Sequence, residues 1–358
     1  MSFKRLEAED FILSADSITA PLWTGYTPTI TTFFTSSNQY NSTTGKYYLS
    51  VYQTGSAAAG TETTNISGSE VQFDIVYGND FGSGSVPYNS QIVANSPTST
   101  IYGQYRSLVL GDSSNVFTFG NVTASDFWAI SVSRNRYKES LLPGSLILHL
   151  SGGGANVGGI TLTDDSQYAT TTTFLDSGRV YNLISGSAGV VATNAGTNSN
   201  GWSARSGSYG WFLPDIGTII LNPLALGEPA ISGGIGLAPN RTNGTDGLNT
   251  QILYTAISGS STGTLKVGFT LNSQETVTSD YVFVRARNAE FNYSENPSFI
   301  SGSTGAVLYN SFINNPQTFF TTVGMYNDNN ELLAVAKLSK PLIKDFTKEA
   351  LIRVKLDF

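Results

Sequence analysis

The sequence predicts a mainly β protein of antiparallel, β-sandwich-like sheets with long Gly-, Ser- and Asn-rich loops and few short helices. Three observations carry this prediction. Apolar and polar residues alternate with a period of two over several stretches, which places one set of side chains on each face of a pleated strand. Glycine, 37 of 358 residues, clusters with serine and asparagine between those stretches, where the chain must turn. A single stretch carries helix signals.

Val71, Phe73, Ile75 and Tyr77 alternate with Glu70, Gln72 and Asp74, the pattern of a half-buried strand. Trp128, Ile130 and Val132 alternate with Ser131 and Ser133 in the same way. Residues 146–150 form a short apolar run after Pro143-Gly144, a pair suited to the centre of a type II turn. Residues 249–257 (NTQILYTAI) are the one predicted helix, with Asn249 as its cap and Gly259 just past its end. Asn327, Asp328, Asn329 and Asn330 lie between two apolar runs and predict a hairpin turn. At the end of the chain Ile352, Val354, Leu356 and Phe358 alternate with Arg353, Lys355 and Asp357, the cleanest two-faced strand.

Composition divides the chain softly into an N-terminal β region (1–138), a Gly-rich middle region of low charge (139–263) and a C-terminal β region (264–358). The three can share one fold. Gly- and Ser-rich loops are expected at 55–60, 82–85, 151–159, 196–210 and 258–263. No fixed-period repeat is present, which argues against a solenoid or a repetitive shaft.

Hydrophobic residues make up 40% of the chain and charged residues 13%, about half the usual charged share. Short uncharged side chains form the polar surface, and they lose little entropy when a neighbour covers them. A net charge of −7 disfavours a phosphate-tracking surface, so no nucleic-acid partner is expected. The one basic cluster, Arg134, Arg136 and Lys138, is too narrow for that role. The chain has no cysteine, which excludes disulfides and thiolate metal sites. The opening residues are charged, with no apolar stretch behind them, and predict no secretory signal. No stretch approaches the roughly 20 apolar residues that span a bilayer, so no membrane partner is expected.

Chemistry is weakly supported. His149, the only histidine, lies in an apolar run and reads as a hydrogen-bonded sheet residue. The G-x-S-x-G pattern at 259–263 is followed by a strand pattern and by no histidine, which a nucleophile elbow requires. The glycines at 152–158 precede a strand pattern, where a dinucleotide-binding turn would open a helix. The oxygen-rich stretches Asp164-Asp165, 240–249 and 327–330 match no EF-hand loop and read as turns. No catalytic residue, metal or cofactor is expected, and the chain reads as a non-enzyme.

Several long segments carry a resemblance. FVRARNAEFNYSENP (283–297), NPQTFFTTVGMYND (315–328), LLAVAKLSKP (332–341) and KEALIRVKLDF (348–358) resemble stretches of virion structural proteins of contractile-tailed cyanophages, as do GWFLPDIG (210–217) and Phe3-Lys4-Arg5. The resemblance covers about half the chain and is firmest after residue 280. It implies a tail baseplate component assembled in the host bacterial cytoplasm. Its partners would be other virion proteins, with a second copy of the chain and a glycan receptor as further candidates. It brings no catalytic motif. Residues 331–337 and 352–358 are expected to form, or lie beside, an intersubunit sheet. Val323, Tyr326, Leu333, Val335, Ile352, Val354, Leu356 and Phe358 are the candidate assembly residues. Two other roles fit: a tail-fibre or glycan-binding module, using Trp202, Tyr209 and Trp211 to stack on sugars, and a capsid decoration protein.

Overall fold

The computed structural model of the chain describes residues 5–22, 34–36, 48–53, 70–84, 97–152, 158–192, 209–242, 246–259, 269–294 and 296–357. The chain is mainly β, with antiparallel sheets and few short helices, as the alternation predicts. The strands are β1 (Phe11–Pro21), β2 (Phe34–Ser36), β3 (Leu49–Gln53), β4 (Glu70–Asn79), β5 (Phe117–Phe119), β6 (Val122–Ala124), β7 (Asp126–Val132), β8 (Ser140–Leu141), β9 (Ile147–Leu150) and β10 (Ile160–Asp164). They continue as β11 (Thr173–Leu175), β12 (Gly178–Ser187), β13 (Val190–Val191), β14 (Gly210–Leu213), β15 (Thr218–Leu221), β16 (Phe269–Thr270), β17 (Asn272–Ala286), β18 (Thr318–Tyr326), β19 (Leu332–Lys344) and β20 (Ala350–Asp357). The helices are α1 (Thr98–Leu110), α2 (Pro223–Gly227), α3 (Asn249–Gly259) and α4 (Asn310–Asn314).

Two compact units divide the chain: Ile18–Glu275, and Met1–Ser17 together with Thr276–Phe358. In the larger unit an antiparallel sheet runs β16-β9-β10-β12-β14-β15-β7-β4-β3-β2, with β11 and β13 hairpinned onto β12. It joins strands from both sides of the composition boundary at residue 138, since β7 pairs with β15 from Trp128↔Leu221 to Ser131↔Thr218.

Period-two alternation sorts this sheet's side chains into two cores. Phe73, Ile75, Tyr77, Trp128, Ile130, Ile219 and Leu221 enter one, joined by Leu253, Ala256 and Ile257 of α3. Val76, Phe127, Ala129 and Ile220 enter the other, joined by Ile101, Tyr102 and Val109 of α1. The stretch expected to be half-buried is therefore covered on both sides: from Gln72 to Asn79 only Asp74 is not fully buried. Gly78 makes the second covering close, because a Cβ there would lie 2.7 Å from the Phe127 ring and 3.1 Å from the Tyr102 backbone of α1.

The predicted helix is present as α3 and runs on to include Gly259. Asn249 acts differently from the expected cap. Its side chain accepts the Asn240 N–H at 2.7 Å and donates to the Asn240 carbonyl at 2.8 Å, closing the preceding loop.

In the smaller unit β17 pairs with β20 from Ser279↔Asp357 to Ala286↔Ala350, with β1 as the third strand. Strands β18 and β19 form a separate two-stranded sheet. Among the described residues of this unit the fully buried apolar side chains are Val282, Ala286, Ala350 and Val354.

Candidate assembly surface

The β18–β19 hairpin is built by its turn. Asn327 Oδ1 accepts the N–H groups of Asn329 at 3.0 Å and Glu331 at 2.8 Å. Asn330 takes the left-handed conformation at φ 62°, which asparagine tolerates better than most residues. Two irregularities follow in the ladder. The partner of β18 jumps from Leu342 at Phe320 to Lys337 at Thr322, and Leu333 is bulged between the Met325↔Ala334 and Tyr326↔Leu332 pairs. Among the described residues no third strand joins either member.

A lone two-stranded hairpin buries little, so its side chains face outward. Leu333 is 67% exposed, Val335 and Phe319 each 59%, and Leu332 53%. Tyr326 and Leu332 cover Gly324, where a Cβ would sit 2.9 Å from the Tyr326 ring and 3.4 Å from Leu332 Cδ1. The root of the hairpin is fixed better than its tip. Lys344 is fully buried, and its Nζ donates to Asn288 O at 2.9 Å, Asn292 Oδ1 at 2.8 Å and Asp345 O at 3.0 Å. Thr318 Oγ1 donates to Phe291 O at 2.7 Å, and the Phe291 ring packs edge-on to Phe320.

The candidate residues fall into two groups. Tyr326, Leu333 and Val335 lie on the hairpin with exposed side chains, while Val323 beside them is half-buried opposite Ala336. Ile352, Val354 and Leu356 lie on β20 opposite Val284, Val282 and Asp280, with Val354 buried and the other two half-buried. Their backbone is thus already paired with β17 along one edge. Phe358 lies outside the described residues. Strand β1 adds exposed Phe11, Ile12 and Leu13 to the smaller unit.

The aromatic residues named for sugar stacking are placed differently from the expectation. Tyr209 is buried and its hydroxyl donates to Gly233 O at 2.6 Å. Trp211 packs against Phe119 and Phe117, with ring centroids 5.0 and 5.8 Å away. Trp202 lies outside the described residues. Tyr209, just before β14, joins one core, and half-buried Trp211 on β14 packs against the other.

The polar residues singled out by sequence serve the architecture. His149 is buried on β9, with Nδ1 2.7 Å from Thr161 Oγ1 on the paired strand β10. Burial holds its imidazole below the ordinary value. Asp164 is fully buried and accepts from the N–H groups of Gly144 and Ser166, yet burial outweighs those bonds and raises its carboxyl above the usual range. Asp165 closes the same loop through both the backbone and the side-chain amide of Asn182.

Sequence reasoning missed a second knot. Asp126, buried at the start of β7, accepts from the Tyr77 hydroxyl at 2.8 Å and from Arg241 Nε at 2.8 Å. Burial, and then the Asp126 charge, push the Tyr77 phenol far up. Thr98 Oγ1 donates to buried Asp246 nearby. No local motif marks these residues, which meet from positions 77, 126 and 241. The G-x-S-x-G and Gly-rich stretches at 260–263 and 153–157 lie outside the described residues. Among the described residues no three His, Asp or Glu side chains gather as metal ligands, and no helix is long and apolar enough to cross a membrane.

The chain matches no protein-family model, no curated protein and no solved structure.

Proposed function

We propose that this chain is a structural component of a phage particle, in the tail baseplate, and acts by assembling with other virion proteins. The observation that carries the assembly reading is the unshared hairpin: an edge-exposed, two-stranded sheet whose outward residues Leu332, Leu333 and Val335 are apolar. Such an edge is a template for pairing with another chain, and contiguous apolar surface marks interaction sites. The phage and baseplate assignments are supported by the resemblance of the segments at 210–217, 283–297, 315–328, 332–341 and 348–358.

Truncating residues 349–358 would also remove β20, which pairs with β17 over eight registered positions, so loss of folding would imitate loss of assembly. A sharper variant is Leu333→Asp with Val335→Asp, which changes exposed side chains alone. We expect the doubly substituted chain to fold, with an unchanged circular dichroism spectrum, and to be absent from purified particles. Normal incorporation would reject the assembly reading. Density for the chain outside the tail of an imaged particle would reject the baseplate placement.

A further inference from the structure

Lys344, the last residue of β19, is fully buried. A lysine in that position is ordinarily paired with a carboxylate, because an uncompensated charge is costly to bury. Among the described residues Lys344 joins no ion pair. The carboxylate of the next residue, Asp345, turns instead to the N–H and hydroxyl of Thr347 and to Lys348. Nζ of Lys344 faces uncharged groups, and one of them can be attacked by an amine. Asn292 is itself buried, 4% exposed, and its Oδ1 lies 2.8 Å from Nζ. With a C=O bond of about 1.23 Å, that distance puts Nζ within about 4 Å of the carboxamide carbon Cγ. Reacting atoms meet from roughly 3–3.5 Å. The amide is held from its other side as well, since Nδ2 donates to Asn288 O at 2.6 Å. Nζ donates to the same oxygen at 2.9 Å. The amine and the nitrogen it would displace are thus gathered on one carbonyl.

We propose that Lys344 and Asn292 join in an intramolecular isopeptide bond. Lysine amines act as nucleophiles toward carbonyl carbons. Nζ adds to Cγ of Asn292, the Nζ–Cγ bond forms and the Cγ–Nδ2 bond breaks. Two protons pass from the Nζ ammonium to Nδ2, which departs as ammonium and carries the positive charge away. No oxidant, reductant or cofactor enters. The product is a neutral amide, so the reaction removes a buried cation that lacks a counter-ion. It also closes a covalent loop across a separation of 52 residues, and that loop contains the whole β18–β19 hairpin. In this unit the fully buried apolar side chains among the described residues are few, and the chain has no cysteine for a disulfide. A cross-link of this kind restricts the unfolded chain as a disulfide does. It forms within one chain and needs no partner, so it stands or falls independently of assembly.

Intact-mass spectrometry of the full-length chain, folded and then denatured, reads the bond directly. The natural chain is expected to weigh one ammonia less than its sequence. Trypsin should leave the bond after Lys344 uncut and release a branched peptide that joins Asn292 to Lys344. Lys344→Arg keeps the positive charge and is expected to show the full mass of its own sequence. Asn292→Asp offers a carboxyl that condenses with loss of water, so its product should match the natural product in mass and carry the same branch. The full sequence mass in the natural chain would overturn the bond. So would an ammonia loss that persists in K344R, or one that maps to an asparagine not joined to Lys344.

Discussion

Asp164 and Asp215 sit in the same unit and are driven in opposite directions by their surroundings. Burial dominates at Asp164 and raises its carboxyl above the ordinary 3.8, although backbone and Ser166 hydrogen bonds oppose it. Below that value the group is protonated in both folded and unfolded chains and its contribution to stability is fully present. That contribution is lost as pH rises through the folded value. At Asp215 burial also opposes ionisation, but the Arg179 side-chain and backbone hydrogen bonds and the guanidinium charge together outweigh it and hold the carboxyl low. Arg179 grips it with Nε at 3.0 Å and Nη2 at 2.5 Å from Oδ1. The Asp215 contribution is present above 3.8 and is lost as pH falls through the folded value. In urea unfolding the stability of Asp164→Asn should improve relative to the natural chain as pH rises above about 4, while the deficit of Asp215→Asn should shrink as pH falls below about 4. If both differences move the same way, these causes are wrongly assigned. Sequence marked Asp164 only as oxygen-rich turn chemistry. It sits opposite Leu183 of β12 and takes the Gly144 N–H from a turn 20 residues away, which no local pattern records.

At the scale of elements, glycine separates positions that look alike in the sequence. Gly210 opens β14 at φ 140°, and a Cβ there would lie 1.9 Å from the Ile220 carbonyl oxygen of the paired strand. Gly103 lies inside α1, with nothing within 4 Å of a built Cβ. Gly210→Ala is expected to cost about 3 kcal/mol or more, since both the conformation and the space forbid it. Gly103→Ala should stabilise by ~0.5–1 kcal/mol, because alanine is the better helix former. Equal effects in urea titrations would contradict the described geometry. The strands around Phe73, Trp128 and Ile352 were legible because period-two alternation is a direct consequence of the pleat. Helix α1 was not. Its buried Ile101, Tyr102 and Val109, with half-buried Tyr105, do follow a helical period, but threonine, serine, glycine and tyrosine between them are poor helix formers. Packing against β4 holds this helix, so the signal lay in a tertiary contact.

At the scale of the molecule, the smaller unit holds few buried apolar side chains and displays many, while the larger unit holds two cores. The hairpin that carries 331–337 was readable from its Asn- and Asp-rich turn. Which side faces outward was not, since Leu332-Leu333-Ala334-Val335-Ala336 is apolar at every position and alternation carries no information there. The two anchoring modes of the hairpin also differ in their response to dissolved ions. Lys344 at the root donates to three neutral oxygens inside the protein, where mobile counter-ions do not reach. Glu331 at the tip is exposed and accepts from Asn327 Nδ2 at 2.6 Å, and exposed charges are screened within a Debye length of ~3 Å at 1 M salt. Adding sodium chloride should therefore loosen the tip while amide exchange over 318–344 still reports a formed ladder near Lys344. Concentrated brine would then soften the outer end of the hairpin and leave its base clamped, so the same edge is presented again on dilution.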